Sequence, residues 1–227
     1  MAVDPLPDPR EVIALYDAAS QALLRAVARS TRIALGGDPV AGARQAELAA
    51  RAVAARLDRE GPDRIRDAIT AAGAQGDAAA VAELAAAGRI GVDAYDLRWQ
   101  RAAVDRLAAA TITNVRPAHE AILRTTVDAY RQVVAHALAP SLTGAETRLA
   151  AAQRALNQLA ARGISGFVDA AGRSWNLTSY VSMATRTASA RAMIEAQTDR
   201  LSAFGRDLVV VTGGGAACRR CSPYVGN

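Results

Sequence analysis

Lysine is absent from these 227 residues, so all 27 basic side chains are arginine. A Walker-type phosphate loop, which needs a lysine, is therefore excluded. Aromatic residues make up only 4% of the chain. Buried area per residue must then be modest, and with alanine so abundant the composition favours long helices over compact sandwiches. Cysteine occurs twice, at Cys218 and Cys221. A secreted disulfide scaffold would spread more cysteines along the chain, which makes a reducing compartment the expectation. A positive segment followed by an apolar run is missing from the start, and no apolar stretch is long enough to span a bilayer. The expectation is a soluble protein made in a cytoplasm.

What is present is a large apolar fraction, 51% of residues, enough for a real core in one large or two small domains. Intrinsic disorder is excluded on this count. The net charge of +5 and a pI near 9.8 allow the chain to sit beside nucleic acid. An arginine-rich, lysine-free composition is, however, what a GC-rich genome produces, and that is the preferred reading. Arg25, Arg29 and Arg32 lie among Asp17 and polar residues, and Arg51, Arg56 and Arg59 alternate with Glu47, Asp58 and Glu60. Along the sequence this reads as solvated helix faces, so DNA proximity is permitted and DNA recognition is not indicated.

Asp8-Pro9-Arg10-Glu11 reads as a capping box, and the apolar positions Val12, Leu15, Tyr16, Ala19, Leu23, Ala26, Val27 and Ile33 predict a helix stopped by Gly36-Gly37. Asp38-Pro39 repeats the start signal for a second helix, antiparallel to the first, carrying Val40, Leu48, Val53 and Leu57 as far as Glu60. From Asp63 to Gly88 the pattern predicts two short helices divided by Gly73 and Gly76, with Asp77 capping the second. An amphipathic stretch from Asp93 to Ala139 reads as two helices meeting near Arg116, because of Pro117. Thr143-Gly144-Ala145-Glu146 then caps a helix ending at Arg162-Gly163.

At Ile164 the character changes. Two short apolar segments around a glycine turn predict a hairpin. Thr178 then caps a helix with Tyr180, Met183, Thr187, Ala190, Ile194, Gln197, Leu201 and Phe204 as its stripe, stopped by Gly205. Asp207–Thr212 is of strand length, and Gly213-Gly214-Gly215 turns into Cys218-Arg-Arg-Cys221. The fold class expected is mainly α: an elongated helical bundle over 1–163, then a small α+β C-terminal domain over 164–227.

Cys218 and Cys221 are the one pair with chemistry attached, at a spacing that can chelate a metal or form a redox disulfide. They are half a zinc site. His119 and His136 stand 17 positions apart on a predicted helix and read as ordinary core or surface residues rather than the missing ligands. Pro223 and Gly226 follow the second cysteine, so the strand-to-helix setting of a thioredoxin-like motif is missing. The triple glycine has no helix N-terminus after it and reads as a linker. No catalytic constellation is distinctive, and the expectation is that the protein is not an enzyme.

Trp175-Asn-Leu-Thr-Ser-Tyr180, Ala184-Thr-Arg186-Thr187, Arg191-Ala192, Gly205–Thr212 and Cys218–Gly226, in this order, resemble phage minor capsid proteins of the Mu F-like head-morphogenesis group. The likeness covers the last 50 to 60 residues and rests on the combination of pieces. It implies a structural protein in several copies inside the virion head. There it would be bound to the portal protein near the portal, touch major capsid or scaffolding protein, lie beside packaged DNA, and be ejected with the genome. During assembly it would be in the host cytoplasm. It also implies that zinc at Cys218 and Cys221 would take its remaining ligands from outside this stretch. Two alternatives stand beside it: the delivery segment of a longer polypeptide with a toxin or protease domain beyond Asn227, and a basic DNA-associated module.

Overall fold

The computed structural model describes residues 9–89, 91, 98–143, 147–162, 166–168, 173–206, 219 and 222–224. Five helices dominate: α1 (Arg10–Leu35), α2 (Pro39–Ala86), α3 (Arg98–Thr143), α4 (Arg148–Arg162) and α5 (Leu177–Ala203). Between α4 and α5 lies the expected hairpin, β1 (Gly166–Val168) antiparallel to β2 (Ser174–Asn176), with Phe167 opposite Trp175.

α2 and α3 form an antiparallel spine. His119 of α3 meets Asp58 of α2, and Gln100 meets Asp77. With 48 and 46 residues these two helices are each about 70 Å long at 1.5 Å per residue. α1 covers one half of the spine and α5 the other. Tyr16 of α1 reaches His119, whereas α5 joins the far half through Gln100 to Ala196 and Tyr180 to Asn114. α4 packs beside α3 and α1.

The start of α1 differs from its expected cap: Pro9 is the N-cap with no side-chain hydrogen bond, and Asp8 lies outside the described residues. Its stripe from Val12 to Val27 is buried as expected, Ile33 is exposed, and Gly37 takes a φ of 111° in the turn to α2. Only glycine adopts that angle without strain. Asp38 caps α2 as expected, its Oδ1 accepting from the Ala41 N–H at 2.8 Å.

Beyond Glu60 the expectations fail. α2 runs unbroken through Gly61-Pro62 and past Gly73 and Gly76, so the two short helices do not exist and Asp77 is not a cap. A mid-helix proline forfeits one backbone hydrogen bond at about 3 kcal/mol. Burial of Leu57, Ile65 and Ile69 around it, worth about 1.5–3 kcal/mol each, outweighs that loss. The glycines are contact points. A Cβ at Gly61 would stand 2.9 Å from the Tyr16 hydroxyl, one at Gly73 would stand 2.8 Å from a Val104 methyl, and one at Gly76 would collide with the Met193 backbone carbonyl. In the same way α3 continues through Pro117 and Pro140, its face of Val115, Ala118, Ile122 and Val133 buried on both sides of Pro117. Thr143 ends α3 instead of opening α4. Residues 144–146 lie outside the described set, and Thr147 Oγ1 accepts from the Ala150 N–H at 3.2 Å.

α5 starts one residue before the expected cap, with Asn176 Oδ1 accepting from the Thr178 and Ser179 N–H groups. Its stop at Gly205, φ 70°, is as expected. Its buried face is not. Leu177, Val181, Thr185, Ala188, Ser189, Ala192, Met193 and Ala196 face inward, while Met183 and Ile194 of the expected stripe are exposed, Ile194 by 62%. Small side chains win that face because α5 lies so close to α2 that Gly76 touches its backbone. A mainly α, elongated bundle is thus what forms. A small α+β C-terminal domain is not supported among the described residues, where α5 shares the core of α1, α2 and α3.

Candidate functional site

The strand expected at 207–212, the triple glycine, Cys218 and Cys221 lie outside the described residues. The two histidines are not brought together. His136 is exposed, its Nδ1 donating to the Gln132 carbonyl at 2.8 Å. His119 is buried in the spine, in keeping with the reading of both as ordinary residues. Among the described residues no group of three or more His, Cys, Asp or Glu could hold a metal ion.

Two polar constellations link the helices instead, the first running from the buried Tyr16 and His119 out to the exposed Asp58. In the first, Tyr16 Oη lies 2.6 Å from His119 Nε2, and His119 Nδ1 lies 2.8 Å from Asp58 Oδ1. A carboxylate only accepts, so Nδ1–H donates to Asp58, and Nε2 shares the second hydrogen bond with the tyrosine hydroxyl. Burial, and secondarily the Asp58 charge, pushes the Tyr16 phenol far above its ordinary value of 10.0. A hydroxyl, imidazole and carboxylate in line resemble the relay of nucleophilic catalysis. Tyr16 is wholly buried, however, and its oxygen sits under Gly61, so no substrate reaches it. What the arrangement can do is fasten α1, α2 and α3 in register.

In the second, Arg200 of α5 grips Asp77 of α2 with both ends of its fork, Nε to Oδ1 at 2.6 Å and an Nη to Oδ2 at 2.7 Å. Gln100 of α3 donates to the same Oδ1 and to the Ala196 carbonyl. The Arg200 side chain is 4% exposed, so three helices are pinned around one desolvated pair. Bidentate geometry and a third donor satisfy the charge that burial would otherwise penalise.

Two hollows flank this network. One of about 420 Å³ is lined by Gly73, Asp77, Gln100, Arg101, Val104 and Asp105. The other, about 570 Å³, lies between α3 and α5 with Arg106, Ile194, Glu195 and Asp199. Asp77 of the first is already bound by Arg200, and the second mixes its charges without a buried polar group. Neither collects a nucleophile, a base and an anion hole. Sequence reading passed over Tyr16, Asp58, Asp77 and Arg200. The one signal was a histidine and an aspartate placed on otherwise apolar helix faces.

Among the described residues no helix is long and apolar enough to cross a membrane. No curated protein and no solved structure gave a match to the chain. The family model for phage minor capsid protein 2 matches residues 7–227, which is nearly its whole length. That match agrees with the phage minor capsid resemblance of the last 50 to 60 residues. The chain belongs to the phage minor capsid protein 2 family.

Proposed function

We propose that the chain is a structural, non-enzymatic head component of the Mu F-like kind, bound to the portal inside the head in several copies and ejected with the DNA. Membership of a minor capsid family, which implies a virion component, is the observation that carries this reading. The helical rod supports it, because Met183 and Ile194 on the outer side of α5 are apolar groups left over after the core is filled. Helix-on-helix contact through such a face would supply affinity for a larger ring. Contacts with major capsid or scaffolding protein, and non-specific proximity to packaged DNA, belong to the same reading. Cys218 and Cys221 would add two thiolates of a four-ligand zinc site completed by residues outside the pair.

Co-sedimentation and electron microscopy with the portal protein of the same phage test the proposal. The expected outcome is rings carrying extra density at a defined position. Failure of the two to associate under assembly conditions refutes the portal contact.

A further inference from the structure

The positive charge of the chain is not evenly spread in the fold. From Ala18 to Gly37, covering most of α1 and the turn after it, there are three arginines and no carboxylate. α4, from Arg148 to Arg162, likewise has three arginines and no carboxylate. These two helices pack side by side. The remainder of the chain holds 21 of the 27 arginines and all 22 acids, so along the sequence the excess of positive charge falls in segments 18–37 and 148–162. Read along the sequence, Asp17 appeared to temper Arg25, Arg29 and Arg32. In the fold it lies two helical turns before Arg25, and it is the last acid on α1.

We infer that the α1–α4 flank is a binding surface for the phosphate backbone of duplex DNA. Arg25, Arg29 and Arg32 are all exposed and recur at four and three, so they form one row about 10.5 Å long, close to the roughly 12 Å width of a major groove. No carboxylate pairs with any of the three among the described residues. The arginines of the opposite half are differently placed. Arg106 shares its groove with Glu195 and Asp199, and Arg101 shares its hollow with Asp77 and Asp105.

Besides the arginines of α1 and α4 the flank carries exposed amide donors, Gln21 on α1 and Gln153, Asn157 and Gln158 on α4. It offers no exposed aromatic side chain on which a single-stranded base could stack. Nor does it offer the buried aromatic anchor that an acidic protein partner would seek. Phosphate contacts of this kind position a protein on DNA without reading sequence. The inference deepens the DNA-proximity part of the reading above, rests on that part alone, and is independent of the portal contact.

The test measures binding of the full chain to a labelled 30-base-pair duplex of arbitrary sequence as sodium chloride is raised. Compared with it are a flank variant, Arg25→Gln/Arg29→Gln/Arg32→Gln, and a control variant, Arg101→Gln/Arg106→Gln/Arg191→Gln. Each lost phosphate contact removes about 0.9 from the slope of log K against log salt, so the flank variant should lose about 2.7. Between 50 and 200 mM salt the original chain should therefore weaken about 40-fold more than the flank variant. The control should keep the original slope.

A flat salt dependence in the original chain overturns the inference, as does an equal loss in both variants. Displacement of the duplex by polyglutamate at matched charge also overturns it, in favour of an acidic protein partner. If the triple variant does not fold, the three single variants each carry the same expectation, about 0.9 in slope. Portal co-sedimentation of the flank variant should be unchanged, which separates failure here from failure of the portal contact.

Discussion

Replacing Gly76 by alanine sets two accounts of α2 against each other, because they disagree on the sign of the effect. If Gly76 were a solvent-facing glycine in a helix, alanine would gain about 1 kcal/mol of helix propensity. The structure places the new methyl against the backbone carbonyl of Met193, on a neighbouring helix. A carbonyl cannot rotate away as a side chain can, so α5 must shift as a unit and disturb the Asp77–Arg200 pair one residue along α2. Overpacking costs about 1–3 kcal/mol when side chains can adjust. With rigid backbone as the obstacle the upper end applies, and after the propensity gain a net loss of about 2 kcal/mol is expected. In a domain of this size that lowers Tm by about 4–8 °C. Circular dichroism at 222 nm during heating and in urea reads it directly. Gly73→Ala is the internal comparison: its obstacle is a Val104 methyl at 2.8 Å, a movable group, so its loss should be smaller. A Gly76→Ala protein as stable as the original, or more so, would refute the close α2–α5 contact.

The remaining predictions concern the two fasteners. Asp77→Ala should destabilise by about 3–5 kcal/mol, since it deprives the buried Arg200 guanidinium of its carboxylate, whereas Asp77→Leu with Arg200→Met should recover most of the loss. A double-mutant cycle in urea checks this, and additive losses would dismiss the pair as a fastener. The raised Tyr16 phenol predicts an alkaline limb. The folded state keeps the proton that the unfolded chain releases near pH 10, so stability is complete below about pH 10 and declines as pH rises above it, by up to about 1.4 kcal/mol per pH unit. No lysine titrates in the same range, and Tyr130, raised by burial to a lesser degree, adds a smaller share, so Tyr16→Phe should make the limb markedly shallower. Urea midpoints from pH 8 to 11 report the outcome. A limb equally steep in Tyr16→Phe would assign it elsewhere.

How far the fold could be read from sequence depended on whether the deciding physics was local. The buried stripe of α1, the Asp38 cap, the Gly36-Gly37 turn and the hairpin are set by residues within one or two turns of each other, and all formed as expected. The continuity of α2 was not legible. Gly61-Pro62, Gly73 and Gly76 carry breaker signals locally, yet their use is set by Tyr16, Val104 and Met193 on other helices. The register of α5 was misread for a related reason. Larger residues such as Met183 and Ile194 formed the more apolar stripe, but a close helix contact selects by size, and alanine and serine fit where isoleucine does not. Tyr16 and His119 are 103 positions apart and Asp58 and His119 are 61 apart, so nothing in local pattern could join them. Family membership, by contrast, was legible in the last quarter of the chain as residue order, and it extends over 7–227.

The unbroken course of α2 makes one polypeptide segment a stiff lever of about 70 Å. Its α1 end, beside the arginine flank, and its α5 end, beside Asp77, move together because no joint lies between them. A tilt of 5° imposed at one end would carry the other about 6 Å sideways, more than the rise of a whole helical turn. Whatever grips one end of this rod therefore sets the aim of the other. A few such rods seated in a ring would turn small adjustments of the ring into a concerted widening or narrowing of the space at their tips.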